Sequence, residues 1–470
     1  MRVLAASGLA LLAACRVSAV HHPEAPAIAA TVPIGPGGAL HGVAASGHRT
    51  FAALSAIEPT TIKTTAGPAA DPFAGEPSSA PAAKTTIEAR DGAHLAWRVV
   101  LAGNGGPLAA TPPTPPDVRG GISATLYVGL ADAADAKGVR PRGEPSATLV
   151  ALSTAAGGER WRLGIASTEW SVISSIAAAT DGGAIVAGSF SGTLRIAEKI
   201  VSSAGRSDGF VARITPEGRV AWIVRVGGIV ADSVQGVAMR GDRIAIAGTF
   251  GETAELLGAP LPAADDRVPF ADVFVAELDA NGARRWVATF GSAQEDACAG
   301  VAIADDDSVA VAATLRDSAK LAGAPYTVHG AADGFVAWYS PAGAPGAVVQ
   351  IGGTDFDGIR AITAAGDGVV AAGFFSGRLP IGGRTLVAGG GDDSFVAAIA
   401  PSGAVTSAWA VTGPGREEVT ALARIPGGFV AGIAHTAEAS VDGDATKLPA
   451  PADPMGGAGL AVRPLLTPAK

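Results

Sequence analysis

Four aspartates recur along this 470-residue chain at intervals of about 60 residues. Each stands two positions before a phenylalanine: Asp208 before Phe210, Asp272 before Phe274, Asp333 before Phe335 and Asp393 before Phe395. In a regular repeat they would lie on one circle, and a ring of carboxylates is chemistry that can hold a cation. The commoner task of an acid just ahead of a strand is to accept backbone N–H bonds from the adjoining turn. That structural role is expected here, with no metal. Cys298 has only Cys15 as a second cysteine. It falls where the repeat places Val234 and Ile359, so a small buried residue is expected rather than a reactive thiol. The acidic runs Asp305-Asp306-Asp307 and Asp265-Asp266 lack EF-hand spacing and read as solvated turns. No Gly-x-Ser-x-Gly, phosphate loop or Cys-x-x-Cys occurs. Nothing nominates a catalytic residue, although triad members can lie far apart in sequence.

The elements that would carry these residues follow the same beat. Trp97, Trp161, Trp222 and Trp286 are spaced by about one repeat, and Trp409 by about two more, with the intervening tryptophan lost near Ala347. An Ala-Gly pair recurs at Ala187-Gly188, Ala247-Gly248, Ala372-Gly373 and Ala431-Gly432. Within one unit four strands are expected: Phe210 to Ile214, Trp222 to Val226, Val234 to Met239 and Ile244 to Phe250. The segments are short, rich in valine and isoleucine, and separated by turns such as Asn281-Gly282 and Ser402-Gly403. Four-stranded units repeated in this way build a β-propeller, an all-β ring in which each blade covers its neighbour's faces. Six blades are expected, with a seventh if Leu40 to Leu54 supplies strands. Extra copies of the phenylalanine strand at Thr86 to Arg90 and Gly459 to Arg463 are candidates for the ring-closing clasp. The tryptophans are expected to dock between blades, and Pro107 to Pro116 to form a long loop.

The run Asp-x-Phe-Val-Ala, a glycine after five residues and a tryptophan three residues beyond resembles the bacterial SBBP or "beta-propeller repeat" family. The resemblance covers about Thr86 to Arg463. It is good around Trp222 and Trp286 and weaker in the first repeat, where Leu149 stands at the phenylalanine position. It implies a propeller and an exported or surface location more than a reaction. The stretch Ala276 to Gly282 with Trp286 also resembles the tryptophan-docking motif of quinoprotein-like propellers. Aromatic residues make up only 5% of the chain, which argues against a bound quinone, and no cofactor is expected.

The first residues have the form of an export signal. Arg2 precedes an apolar stretch, Val3 to Ala14, that is too short to span a bilayer. Leu12-Ala13-Ala14-Cys15 resembles the bacterial lipobox, which implies cleavage before Cys15 and acylation of its sulfur. Cleavage after Val17-Ser18-Ala19 is the alternative. Arg16, not an aspartate, follows the cysteine, which fits outer-membrane sorting in bacteria that retain lipoproteins by an aspartate there. The expected organisation is a lipoprotein signal over 1–14, a flexible Pro/Ala/Thr-rich tether over 15–84 and the propeller over 85–468.

Composition narrows the function. The net charge of −9 argues against a nucleic-acid partner, which favours a basic face. Apolar residues at 48% are ample for a large core. The expectation is a lipid-anchored envelope protein whose propeller is a binding scaffold for a protein or polysaccharide. A propeller hydrolase or lyase acting on polymers is the alternative, marked by non-repeated polar residues converging from several blades.

Overall fold

The computed structural model describes residues 30–34, 39–46, 49–56, 84–91, 94–102, 104–111, 124–131, 145–262, 271–442, 447–451 and 457–464. Cys15, the signal segment and the greater part of the tether lie outside the described residues. Every regular element described is a strand, and the main strands form seven four-stranded antiparallel blades. No helix among the described residues is long and apolar enough to cross a membrane.

Counting strands outward from the axis, blade 1 comprises Ala39–Ser46, Arg49–Ala56, Lys84–Asp91 and His94–Ala102. Blade 2 comprises Asn104–Ala110, Thr125–Ala131, Pro145–Ser153 and Glu159–Ser167. Blade 3 holds Trp170–Ala178, Ala184–Ser191, Asp208–Ile214 and Val220–Gly227. Blade 4 holds Ser233–Arg240, Arg243–Phe250, Asp272–Leu278 and Arg284–Phe290. Blade 5 is Ala297–Ile303, Val309–Leu315, Asp333–Tyr339 and Pro345–Ile351. Blade 6 is Gly358–Ala365, Gly368–Phe375, Asp393–Ile399 and Val405–Thr412. Blade 7 takes Glu417–Ile425, Gly428–His435 and Gly457–Pro464, and its outermost strand is Ala30–Ile34 from the other end of the chain.

Three expectations change. The blades number seven, because Leu40 to Leu54 does supply two strands. The propeller therefore starts well before residue 85. The clasp is Ala30–Ile34 on Gly457–Pro464, while Thr86 to Arg90 is the third strand of blade 1. Closing the last sheet with a distant strand removes a free edge. Pro107 sits in the innermost strand of blade 2 rather than in a loop. The pairing there jumps from Gly105 to Leu108, so the missing proline N–H costs no ladder bond.

The sequence unit is out of phase with the blade. Its phenylalanine and tryptophan strands close one blade, and the next two strands open the following one. Between second and third strands, blades 3 to 7 each insert a hairpin that turns toward the outer strand of the preceding blade. The hairpins beginning at Thr193, Glu255 and Ala439 pair with those strands directly. The core divides into clusters centred on phenylalanines such as Phe210, Phe274 and Phe395, all fully buried.

Candidate functional site

The repeat's most regular consequence is at the axis. Each innermost strand carries a register shift near its start: at Leu40/Gly42, Gly105/Leu108, Ile173/Ser175, Val234/Gly236, Cys298/Gly300, Ile359/Ala361 and Val419/Ala421. A bulge of this kind leaves a residue unpaired and re-aims its side chain. The Ala-Gly repeat explains why the bulge fits. A Cβ at Gly188, Gly248 or Gly373 would collide with the carbonyl of Val172, Ser233 or Gly358 and would also press on Phe210, Phe274 or Phe395. Glycine and phenylalanine of the motif thus support one bulge from behind. Blade 7 departs from this: Gly432 pairs with Ala421, and Ile433 occupies the position opposite Val419.

The bulged residues are His41, Pro107, Ser174, Gln235, Ala299, Arg360 and Thr420, and all seven line a single axial cavity of about 360 Å³. The geometry repeats but the side chains do not. Gln235 is fixed: its Nε2 donates to Ser233 Oγ at 2.5 Å and its Oε1 accepts from Thr249 N at 3.0 Å. Arg360 lies over the Phe374 ring, 4.8 Å from its centroid, with Glu418 Oε1 3.4 Å from its Nε. Phe356 lies tilted against Phe374, with centroids 5.2 Å apart at 36°, and Arg316 sits 5.6 Å from the Phe356 centroid. The His41 imidazole packs on Gly105, and burial lowers its pKa, so it is held neutral. Sequence reasoning missed His41 by assigning it to the tether. Its signal was the apolar alternation around it in Leu40 to Leu54.

The predicted aspartates belong to the upper face, where the innermost strands begin. Three of them accept from loop backbone. Asp208 accepts from Ala204 N at 3.0 Å, Asp333 from His329 N at 3.0 Å and Asp393 from Gly389 N at 2.5 Å. Among the described residues no group of three or more His, Cys, Asp or Glu could hold a metal ion. A second series of acids went unread in the sequence. Asp232, Asp296, Asp357 and Glu417 each stand just before a bulge and close to one of the first series. Asp232 accepts from Gly228 N at 2.7 Å and Gly251 N at 2.8 Å; Asp296 accepts from Ser292 N at 2.6 Å. Burial, with a smaller push from the neighbouring aspartate, raises Asp232 to about 6 and Asp296 to about 7. Glu417, 1% exposed and facing Asp393, is raised to about 8 by burial and that carboxyl. The first series has Arg225 on Asp208 and Gln350 on Asp333. The matching position opposite Phe395 is Ala410, which offers no side-chain donor, and Glu417 stands beside Asp393 there.

In blades 1 to 4 the tryptophans reach the next blade on the lower face. The indoles of Trp97, Trp161, Trp222 and Trp286 cover Gly157, Gly218, Gly282 and Gly343 in the next blade's outer turn. Trp97, Trp161 and Trp222 donate Nε1 to Thr154 O, Pro216 O and Ala280 O at 2.9, 2.9 and 3.0 Å. In blade 5 the Ala347 methyl meets Gly403 in the same place. Trp409 does not dock this way: it pairs with Val396, two residues along from the docking position, which Ser407 takes. It stacks on Phe429 of blade 7 instead, at 6.2 Å and 11°. Cys298 is buried, aligned with Val234 and Ile359, and its thiol is pushed up to about 12. Asp305 to Asp307 is more than a solvated turn. Asp305 accepts two bonds from Arg424 at 2.7 and 2.8 Å, and Arg240 pairs with Asp307, which ties blades 4, 5 and 7.

No protein-family model matches the chain, and no curated protein matches it. Solved structures do. One is BamB from Moraxella catarrhalis, 14% identical, covering 74% of this chain and 85% of that one, with a TM-score of 0.29. Another is the quinohemoprotein alcohol dehydrogenase from Comamonas testosteroni, 11% identical, covering 92% and 76%, with a TM-score of 0.38. A third is puromycin hydrolase, 13% identical, covering 85% and 59%, with a TM-score of 0.32.

Proposed function

We propose that this chain is an exported envelope protein, acylated at Cys15 and sorted to the outer membrane, whose propeller is a docking scaffold for a protein or polysaccharide. The observation that carries the scaffold reading is the distribution of exposed apolar side chains. Among the described residues nine large hydrophobics are exposed, and seven of them lie on the upper face or its hairpins. Trp170 and Val172 start the innermost strand of blade 3, and Ile229 and Phe356 sit in blade-to-blade connections. Ile200, Leu257 and Val387 project from the inserted hairpins. Exposed apolar groups gathered on one side of a soluble fold mark contact surfaces. The lower face has its turns committed to tryptophan docking and ion pairs.

The anchor is tested by fractionation. The wild-type chain is expected in the membrane fraction, released by detergent, and Cys15→Ser in the soluble fraction; a soluble wild type would remove the anchor from the account. The second reading is an enzyme acting on envelope polymers. It draws on the convergence of non-repeated polar residues in the axial cavity, and it predicts turnover of such a polymer that His41→Ala abolishes.

A further inference from the structure

The axial cavity is a site distinct from the apolar upper face. Its seven bulges hold the backbone constant while the side chains vary, which is how a rigid scaffold presents a specific constellation. Its one fully charged bulge residue is Arg360. The ion pair with Glu418 is closest at Nε, 3.4 Å, and a guanidinium carries two further N–H edges suited to a planar two-oxygen acceptor. Phe374 behind the guanidinium holds it flat. Around the same ring stand the Ser174 and Thr420 hydroxyls and the amide of Gln235, whose Oε1 uses one lone pair on Thr249 N and keeps the other. The cavity volume of about 360 Å³ suits a ligand of one or two sugar rings rather than a polymer.

We propose that the cavity binds a small hydroxylated carboxylate of the sugar-acid class. Arg360 takes the carboxylate, and Ser174, Gln235 and Thr420 take the hydroxyls. The rest of the lining mixes polar residues such as His41, Ser175 and Thr363 with Gly42, Gly236 and Gly300, where the absence of a side chain lets a ring approach the strands. A site built from both charge and hydroxyl partners rejects ligands that lack either, because a group left unpaired in a confined space is costly.

The test is calorimetric titration of the full chain with D-glucuronate, D-glucose and acetate. Glucuronate is expected to bind, with glucose and acetate each weaker by about tenfold or more, one losing the charge and the other the hydroxyls. Arg360→Gln is expected to weaken glucuronate by about tenfold or more and to leave glucose unchanged. Arg195→Gln, on the exposed hairpin of blade 3 and outside the cavity, is expected to bind as wild type. Should Arg360→Gln unfold, Ser174→Ala tests the hydroxyl partners instead: it is expected to weaken glucuronate and glucose alike, and a Ser174→Ala variant that binds both as wild type would overturn the proposal. Equal affinity for glucuronate and glucose, no binding of glucuronate by the folded chain, or an Arg360→Gln variant that titrates as wild type would overturn the proposal. These outcomes are independent of whether the upper face captures a partner.

Discussion

Gly282 lies directly beneath the Trp222 indole, at a φ of +83°, and the indole donates to Ala280 O in the same turn at 3.0 Å. One blade is thereby stapled to the next through a residue that can be nothing larger. A Cβ at Gly282 would stand 3.1 Å from the ring and would strain the positive φ. Gly241 shares a positive φ, +59°, but faces open space. Gly282→Ala is therefore expected to cost about 1 kcal/mol more than Gly241→Ala in urea unfolding, the surplus being the displaced indole. Equal costs would mean the tryptophan contributes little to the join.

Glu417 makes stability depend on pH. Its folded pKa, about 8, lies above the usual 4.5 for a free glutamate, so the folded state binds more protons between those values. Stability is then present on the acid side and is lost as pH rises through about 8. Asp232 and Asp296 act in the same sense up to about 6 and about 7. Asp305, held low by Arg424, acts oppositely and loses its contribution on acidification. The melting temperature is expected to be highest in mild acid and to decline toward pH 8. Glu417→Gln should flatten that decline; a variant with the wild-type slope would remove Glu417 as its cause.

Arg424 and Asp305 are 119 residues apart and join blade 7 to blade 5 past blade 6. Both side chains are about two-fifths exposed, so the pair is screened by solvent. A double-mutant cycle of Arg424→Ala with Asp305→Ala is expected to give a coupling of about 0.5–1 kcal/mol, reduced at 1 M salt. A salt-independent coupling would point to packing instead of charge.

The Cys298 thiol is buried and raised to about 12, so the thiolate is scarce at neutral pH. A disulfide reagent is expected to label it only at the rate of unfolding, whatever the reagent concentration. Labelling that scales with reagent in the native protein would contradict the buried placement.

The repeat was legible because its landmarks have separate physical duties. Tryptophan docks on a neighbouring turn, glycine admits the bulge carbonyl, phenylalanine fills the space behind it, and aspartate holds a loop. Residues with repeated duties announce themselves at one period. The seventh blade was harder to read, since Leu40 to Leu54 carries Phe51 but no tryptophan, no aspartate and no Ala-Gly pair. The phase of the blade was hidden because a sequence unit starting at Asp208 straddles two sheets. The axial site was legible as a position but not as a site: His41, Gln235 and Ala299 each precede Gly-Val-Ala, and Arg360 follows Ile359 at the same place, yet the residue at that position differs from blade to blade. Period-based reading filters out residues that differ at an equivalent place, and those are the ones a binding site uses. Trp409 shows the converse error, a landmark that keeps the beat to within two residues yet makes a different contact.

The scaffold reading is tested most directly by capturing its partner. Full-length wild type, an Ile229→Ser/Leu257→Ser variant of the upper face and a Leu95→Ser control on the outer strand of blade 1 would be immobilised. Each would be exposed to native envelope extract and the retained protein and glycan identified. The account predicts one discrete component held by wild type and by the Leu95→Ser control and lost from the upper-face variant. A wild-type chain that retains nothing, or a component retained equally by all three, would contradict it.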